Sequence, residues 1–155
     1  MKASPEPVLS PTTAVAVVQA LAAYDLRLTA NRRAVLAVLE HSDRPLTAEE
    51  IVARSGVSVS TAYRNLGELI DAGVVVRITA VGGGDRHELA EQFTHHHHHH
   101  LVCTVCGIVT DFAPSAELEL LIDREVHSLL QTSGFEVTHH VFDVRGRCRD
   151  CRQRA

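Results

Sequence analysis

The chain has 155 residues, 45 % of them hydrophobic, and a formal net charge of −4. That length buries one ordinary core or two small ones, and no apolar run approaches the ~18 residues of a membrane span, which excludes a transmembrane helix. Met1 to Pro11, with one Lys and three Pro, reads as a disordered arm and not as a signal peptide. The expected location is therefore the cytoplasm, where paired cysteines favour metal over disulfide.

Charge is unevenly spread. Residues 1–80 hold eight basic and eight acidic side chains, and residues 81–155 hold seven basic and eleven acidic ones. The second half also carries all four cysteines and ten of the eleven histidines, the composition that cation binding requires.

The first predicted helix runs from Thr12 to Leu26 with Val15, Val18, Leu21 and Ala22 on its apolar face. Thr29 caps a second helix whose stripe includes Val35, Leu36 and Leu39. Thr47 and Glu50 form a capping box that opens a short third helix through Ile51 and Val52, stopped by Gly56. Ser58 or Ser60 starts a fourth, over Thr61 to Ala72, with Leu66, Leu69 and Ile70 inward and Gly73 after its end. A short capped helix, a tight turn and a longer helix make a helix-turn-helix pattern. Val74 to Thr79 then reads as a strand, Gly82 to Asp85 as a turn and Arg86 to Leu89 as the returning strand. This hairpin is a wing, so residues 12–90 are expected to form one winged-helix domain with its wing at about 74–90.

Beyond it, Leu101–Cys103 and Ile108–Phe112 read as short strands. Ala116 to Thr132 reads as an amphipathic helix (Leu118, Leu121, Ile122, Val126, Leu129, Leu130) ended by Gly134, and Phe135 to Val144 as a further strand. Residues 91–155 have few elements for their length, which points to a sheet completed by another subunit. The expected fold class is α+β: an N-terminal winged helix-turn-helix domain, then a small α/β dimerisation domain with a four-cysteine zinc site.

Cys103, Cys106, Cys148 and Cys151 form two Cys-x-x-Cys pairs 41 residues apart. Each pair presents two thiolates from one turn, and two pairs complete the tetrahedral sulfur shell of a structural Zn²⁺ with no open position. Arg147, Arg149 and Arg152 stand nearby to offset the negative charge. His95 to His100 is an internal run ending three residues before Cys103, unlike a terminal purification tag. Side chains alternate in an extended segment, so His96, His98 and His100 face one way and His95, His97 and His99 the other. One strand can serve two imidazole-rich sites; a metal-buffering tract is the other reading.

The string from His97 to Gly107 (His-His-His-His-Leu-Val-Cys-Thr-Val-Cys-Gly) resembles the signature of the ferric uptake regulator family. Ser60-Thr61-Ala62-Tyr63-Arg64-Asn65-Leu66 resembles its recognition helix, and Gly134 to His140 and Gly146-Arg147-Cys148 extend the likeness. The resemblance implies a dimeric, metal-sensing transcription regulator, mostly of the repressor kind. It implies that His98 and His100, with Glu88 and Asp111 as oxygen ligands, form the sensing site. It further implies an additional site of His97, His99, His140 and Glu117, in preference to Glu119. Where the family often supplies a histidine from the first lobe, this chain has Pro45, and His87 or Asp85 is the substitute. A spacer from Ala90 to His95 separates Glu88 from the aligned histidines.

Nitrogen and oxygen donors suit Fe(II) as the regulatory divalent metal, with Mn(II) or Zn(II) also compatible. Asp111 and Val137-Thr138-His139-His140 also resemble the peroxide-sensing branch, and zinc-uptake regulators belong to the same family. For DNA, Arg27, Arg32, Arg33 and Arg64 can gather on one surface against phosphates. Ser60, Thr61, Tyr63 and Arg64 open the longer helix, where Tyr63 and Arg64 reach major-groove bases, and the resemblance sends Arg27 to the minor groove. The reading is a metal-dependent repressor of metal-homeostasis genes, most of all iron-responsive, binding double-stranded, palindromic operator DNA as a homodimer. It is not an enzyme: no His-Glu-x-x-His or Pro-Cys-x-x-Cys occurs. A histidine-rich metal storage or delivery protein is the alternative of another class.

Overall fold

A computed structural model describes residues 7–80, 84–94 and 97–154. Helix α1 spans Pro11–Ala22, where the Ser10 hydroxyl accepts from the Thr13 N–H and proline occupies the first turn. Both features stabilise a helix start, because the first N–H groups lack intrahelical partners. Helix α2 (Ala30–Glu40) is capped by Thr29. Helix α3 (Ala48–Ser55) has both arms of the Thr47–Glu50 capping box and ends at Gly56, whose φ of 67° suits glycine. Helix α4 (Val59–Asp71) follows Ser58 at its N-cap.

Strand β1 (Leu46–Thr47) pairs with β3 (Arg86–Leu89), and β3 pairs with β2 (Val75–Ile78), both antiparallel, giving the order β1-β3-β2. The turn expected at Gly82 to Asp85 falls partly on residues 81–83, outside the described residues. Val17, Leu21, Val35, Leu36, Leu46, Ile51, Leu69 and Val74 are fully buried in the core that these elements share. Each such side chain contributes about 1.5–3 kcal/mol of burial free energy.

Three expectations change here. The buried face of α1 is Thr13, Ala14, Val17 and Leu21, while Val15, Val18 and Ala22 are exposed; the helix is rotated so that, of the expected stripe, only Leu21 at its edge meets the core. The arm expected over residues 1–11 joins the fold before its end, since Leu9 is 3 % exposed within the core and the Ser10 N–H donates to Glu40. Residues 1–6 lie outside the described residues. Helix α5 (Glu91–Thr94) occupies part of the spacer and buries Phe93 in this same core, past the expected boundary at residue 90.

The second sheet has the order β5-β4-β6. Strand β4 (His99–Cys103) pairs antiparallel with β5 (Val109–Phe112) and parallel with β6 (Asp143–Gly146). Helix α6 (Ala116–Ser133) runs from the Ser115 cap to Gly134, and α7 (Arg149–Gln153) closes the chain. The strand expected over Phe135 to Val144 is confined to Asp143–Gly146, because only that stretch has a pairing partner in β4. Val102 and Val109 pack with Ile78 and Ala80 in a small second cluster, so the end of β2 touches the second sheet. No residue of α6 is buried.

Candidate metal centres and nucleic-acid interface

The four cysteines come together because β4 and β6 run parallel with Cys103 opposite Gly146. Cys103 ends β4, Cys106 lies in the turn after it, Cys148 caps α7 and Cys151 sits within α7. All four sulfurs lie within 4.8 Å of one another, and Cys106 Sγ is 3.7 Å from Cys148 Sγ. A tetrahedral ion with Zn–S bonds of about 2.3 Å holds its sulfurs about 3.8 Å apart, so the cluster fits structural zinc. None of the four forms a disulfide. The backbone N–H groups of Cys106, Cys148 and Val105 hold the Cys103 thiol down at about 6, which favours the ligating thiolate.

A second group joins Glu88, His98, His100 and Asp111. Glu88 Oε2 is 3.2 Å from His98 Nε2, and Glu88 Oε1 is 3.1 Å from His100 Nε2. The β4–β5 register sets His100 beside Asp111, while β3 supplies Glu88 from the other sheet. Burial alone would raise the Glu88 carboxyl, yet hydrogen bonds to His100 and His98 hold it below its usual range. Asp143 Oδ1 lies 3.3 Å from His100 Nδ1 and orients that ring from behind, as carboxylates do for metal-bound imidazoles. Asp143 was missed by sequence reasoning, since only the parallel β4–β6 pairing puts it beside His100.

His87 does not join this group. Side chains alternate along β3, so His87 faces away from Glu88, is buried and places Nδ1 3.4 Å from the Leu46 carbonyl. Asp85 pairs with Arg77 at 3.6 Å instead. At the place of the missing first-lobe histidine, Arg44 pairs with Glu50 and helps line a cavity of about 570 Å³ with Glu88, His98 and Asp111.

A third group gathers His97, His99, His140 and Glu119. Glu119 Oε1 is 2.8 Å from His99 Nε2, and Glu119 Oε2 is 3.6 Å from His97 Nε2 and 3.4 Å from His140 Nε2. Glu119 replaces the expected Glu117: two residues turn a helix by about 200°, so only one of the pair reaches the strand, and Glu117 is exposed. His99 is wholly buried and stacks on Phe142 with ring centroids 3.8 Å apart. Burial lowers its basicity and favours the neutral ring. The Phe142 N–H donates to His99 Nδ1 at 3.2 Å, which leaves the proton on Nε2 facing Glu119. His95 and His96 lie outside the described residues.

On the helix-turn-helix, Ser60, Tyr63 and Arg64 are exposed along the start of α4, Thr61 is half-buried, and Arg27 is exposed between α1 and α2. The Tyr63 hydroxyl donates to Glu49 Oε1 at 2.9 Å. Arg32 does not face outward. It is 8 % exposed, with its guanidinium committed to Glu68 and to the Arg27 carbonyl, so it braces the loop that carries Arg27. Arg86, unmarked in the sequence, donates to the Gly107 carbonyl at 3.1 Å and lies 3.6 Å from Glu50, linking the cysteine turn to α3.

Residues 23–145 match the ferric uptake regulator family. The chain belongs to that family. The ferric uptake regulation protein of Escherichia coli K12 is 32 % identical over 142 residues, which cover 86 % of this chain and 90 % of that protein. The peroxide-responsive repressor PerR of Staphylococcus epidermidis is 31 % identical over 135 residues, covering 83 % of each. The crystal structure of the Vibrio cholerae ferric uptake regulator superposes with a TM-score of 0.61 at 30 % identity, over 84 % of this chain and 98 % of that one. The ferric uptake regulator family comprises metal-responsive transcription regulators and not enzymes.

Proposed function

We propose that the protein is a metal-dependent transcriptional repressor of metal-homeostasis genes, responsive to Fe(II), that binds palindromic operator DNA as a homodimer in the cytoplasm. In this reading residues 12–90 are the DNA-binding domain and residues 91–155 the metal-binding dimerisation domain. The observation that carries it is the Glu88–His98–His100–Asp111 group, with Glu88 on the wing and the other three on β4, β5 and the segment before β4. An ion there ties the wing to the second sheet. Its binding free energy selects one arrangement of the helix-turn-helix, an equilibrium shift between two states. In a dimer, that arrangement sets the spacing of two α4 helices against two half-sites.

Two nitrogen and two oxygen donors favour Fe(II) or Mn(II) over softer ions. The exposed leucines of α6, among them Leu120 at 65 % and Leu121 at 53 %, support a partner subunit covering this helix. Ser60, Tyr63, Arg64 and Arg27 are the DNA contacts in this reading, with Thr61 beside them. The Glu119 group is an additional metal position, and the cysteines hold the structural zinc.

A mobility-shift titration against the DNA upstream of the protein's own gene, at buffered Fe(II), Mn(II) and Zn(II), tests the proposal. Retardation that needs Fe(II) and is lost in His98→Ala/His100→Ala, with cysteine-bound zinc intact, is the expected result. Retardation driven only by Zn(II) would make it a zinc regulator, and no retardation under any metal would sink the reading.

A further inference from the structure

The histidine segment meets a further group of donors, which shares only His97 with the three above. Glu91 opens α5, whose Phe93 is buried in the first core, so its backbone is well anchored. Its Oε1 accepts the His98 backbone N–H at 3.1 Å, which orients the carboxylate. Its Oε2 then faces two imidazoles, at 3.0 Å from His97 Nδ1 and 3.3 Å from His139 Nδ1. These three ligand atoms lie within 4.8 Å of one another. They open onto a cavity of about 700 Å³ that an ion can enter from solvent.

His97 connects this group to the one behind it. Its Nδ1 faces Glu91, and its Nε2 faces Glu119 in the inner group. One ring therefore stands between two donor sets, with His139 on the outer side and His140, the next residue, on the inner side.

We propose that Glu91, His97 and His139 bind a divalent cation of the zinc class at the solvent-facing side of the histidine segment, sharing His97 with the inner group. Two imidazoles and one carboxylate form a three-ligand set of the kind that zinc accepts, with water completing the shell. When both positions are filled, His97 bridges them as an imidazolate and its remaining ring proton passes to water. The outer ion joins α5 to the segment before β6, two pieces that the backbone hydrogen bonding of the sheets does not connect.

The test is Zn²⁺ uptake by the full-length protein, measured by equilibrium dialysis against buffered zinc and elemental analysis. Wild type is expected to hold one ion per chain more than Glu91→Ala/His139→Ala at the same micromolar free zinc. Glu91→Gln/His139→Asn keeps an acceptor for the His98 N–H, and it decides the matter if the alanine variant fails to fold. Equal uptake by wild type and variant overturns the proposal, as does a difference that appears only at millimolar zinc. The same pair of substitutions is then made in a His140→Ala background, which lacks a donor of the inner group alone. A one-ion loss there supports the outer position; no loss assigns the extra ion to the inner group and overturns it. DNA binding is not the readout, so failure here leaves the regulator reading untouched.

Discussion

The two halves of the molecule are stabilised differently. Around α2, α3 and α4 the chain supplies its own core, with Leu36, Ile51 and Leu69 fully buried and helix starts capped by Thr29 and Thr47. Around β4 the apolar cluster found among the described residues has four small or medium members, two of which come from β2 and the segment after it. The 18-residue α6 buries nothing. The first half can meet the entropy cost of folding by apolar burial, and the second needs other terms: four thiolates around an ion, carboxylate–histidine groups and a covering surface. Cation-ligating side chains are concentrated where the hydrophobic core is smallest, so in that half ion binding is expected to be coupled to folding.

Removing the cysteine-bound ion should produce the largest contrast. Cys148→Ser leaves three thiolates, and structural zinc contributes on the order of 10 kcal/mol in small zinc domains. Amide exchange is expected to rise throughout β4, β5 and β6 while α2 and α4 stay protected. Equal loss of protection in both halves would show that the two are a single cooperative unit.

A smaller effect is expected from Leu120→Glu/Leu121→Glu on α6. If a partner subunit covers this face, the double substitution weakens the dimer roughly 100-fold, about 2.7 kcal/mol. Analytical ultracentrifugation reads it as a shift to monomer, with no change in the thermal transition of the first half. An unchanged sedimentation coefficient would place the dimer contact elsewhere.

The smallest effect lies in the first half. Arg44 holds the Glu50 carboxyl down to about 2, and the Thr47 N–H of the capping box and Arg86 act in the same direction. A lowered folded-state pKa stabilises above the unfolded value, 4.5, and the contribution disappears as pH falls from there towards 2. Glu50→Gln is therefore expected to cost about 1 kcal/mol at pH 7. Urea denaturation should show the gap between variant and wild type narrowing below pH 4.5. A gap independent of pH would mean that the amide loses packing and not charge.

Local signals were the legible ones. Thr47 and Glu50 stand three apart before an apolar run, and the structure has both bonds of that box. The paired cysteines announce a four-sulfur cluster through spacing alone, and the alternation of the histidines separates His98 and His100 from His97 and His99. Where prediction failed, the outcome hung on a distant neighbour. Glu119 in place of Glu117 depends on the rotation of α6 over β4, and the inward turn of Arg32 depends on Glu68, thirty-six residues away. Asp143, Glu91 and Arg86 carried no mark in the sequence, since each gains its role from a partner brought near by sheet pairing or helix docking.

The sequence by itself determined the helix-turn-helix, the four-cysteine cluster and the division of His97 to His100 between two faces, because caps, tight turns and the alternation of an extended segment are set within a few residues. Only the tertiary structure decided which carboxylates meet those histidines. It also decided that His87 turns from the wing group to the Leu46 carbonyl, and that His97 stands between two donor sets. The physical reason is range. A carboxylate must reach hydrogen-bonding distance of an imidazole to matter, and whether it does depends on strand register and helix rotation, which packing of the whole chain sets.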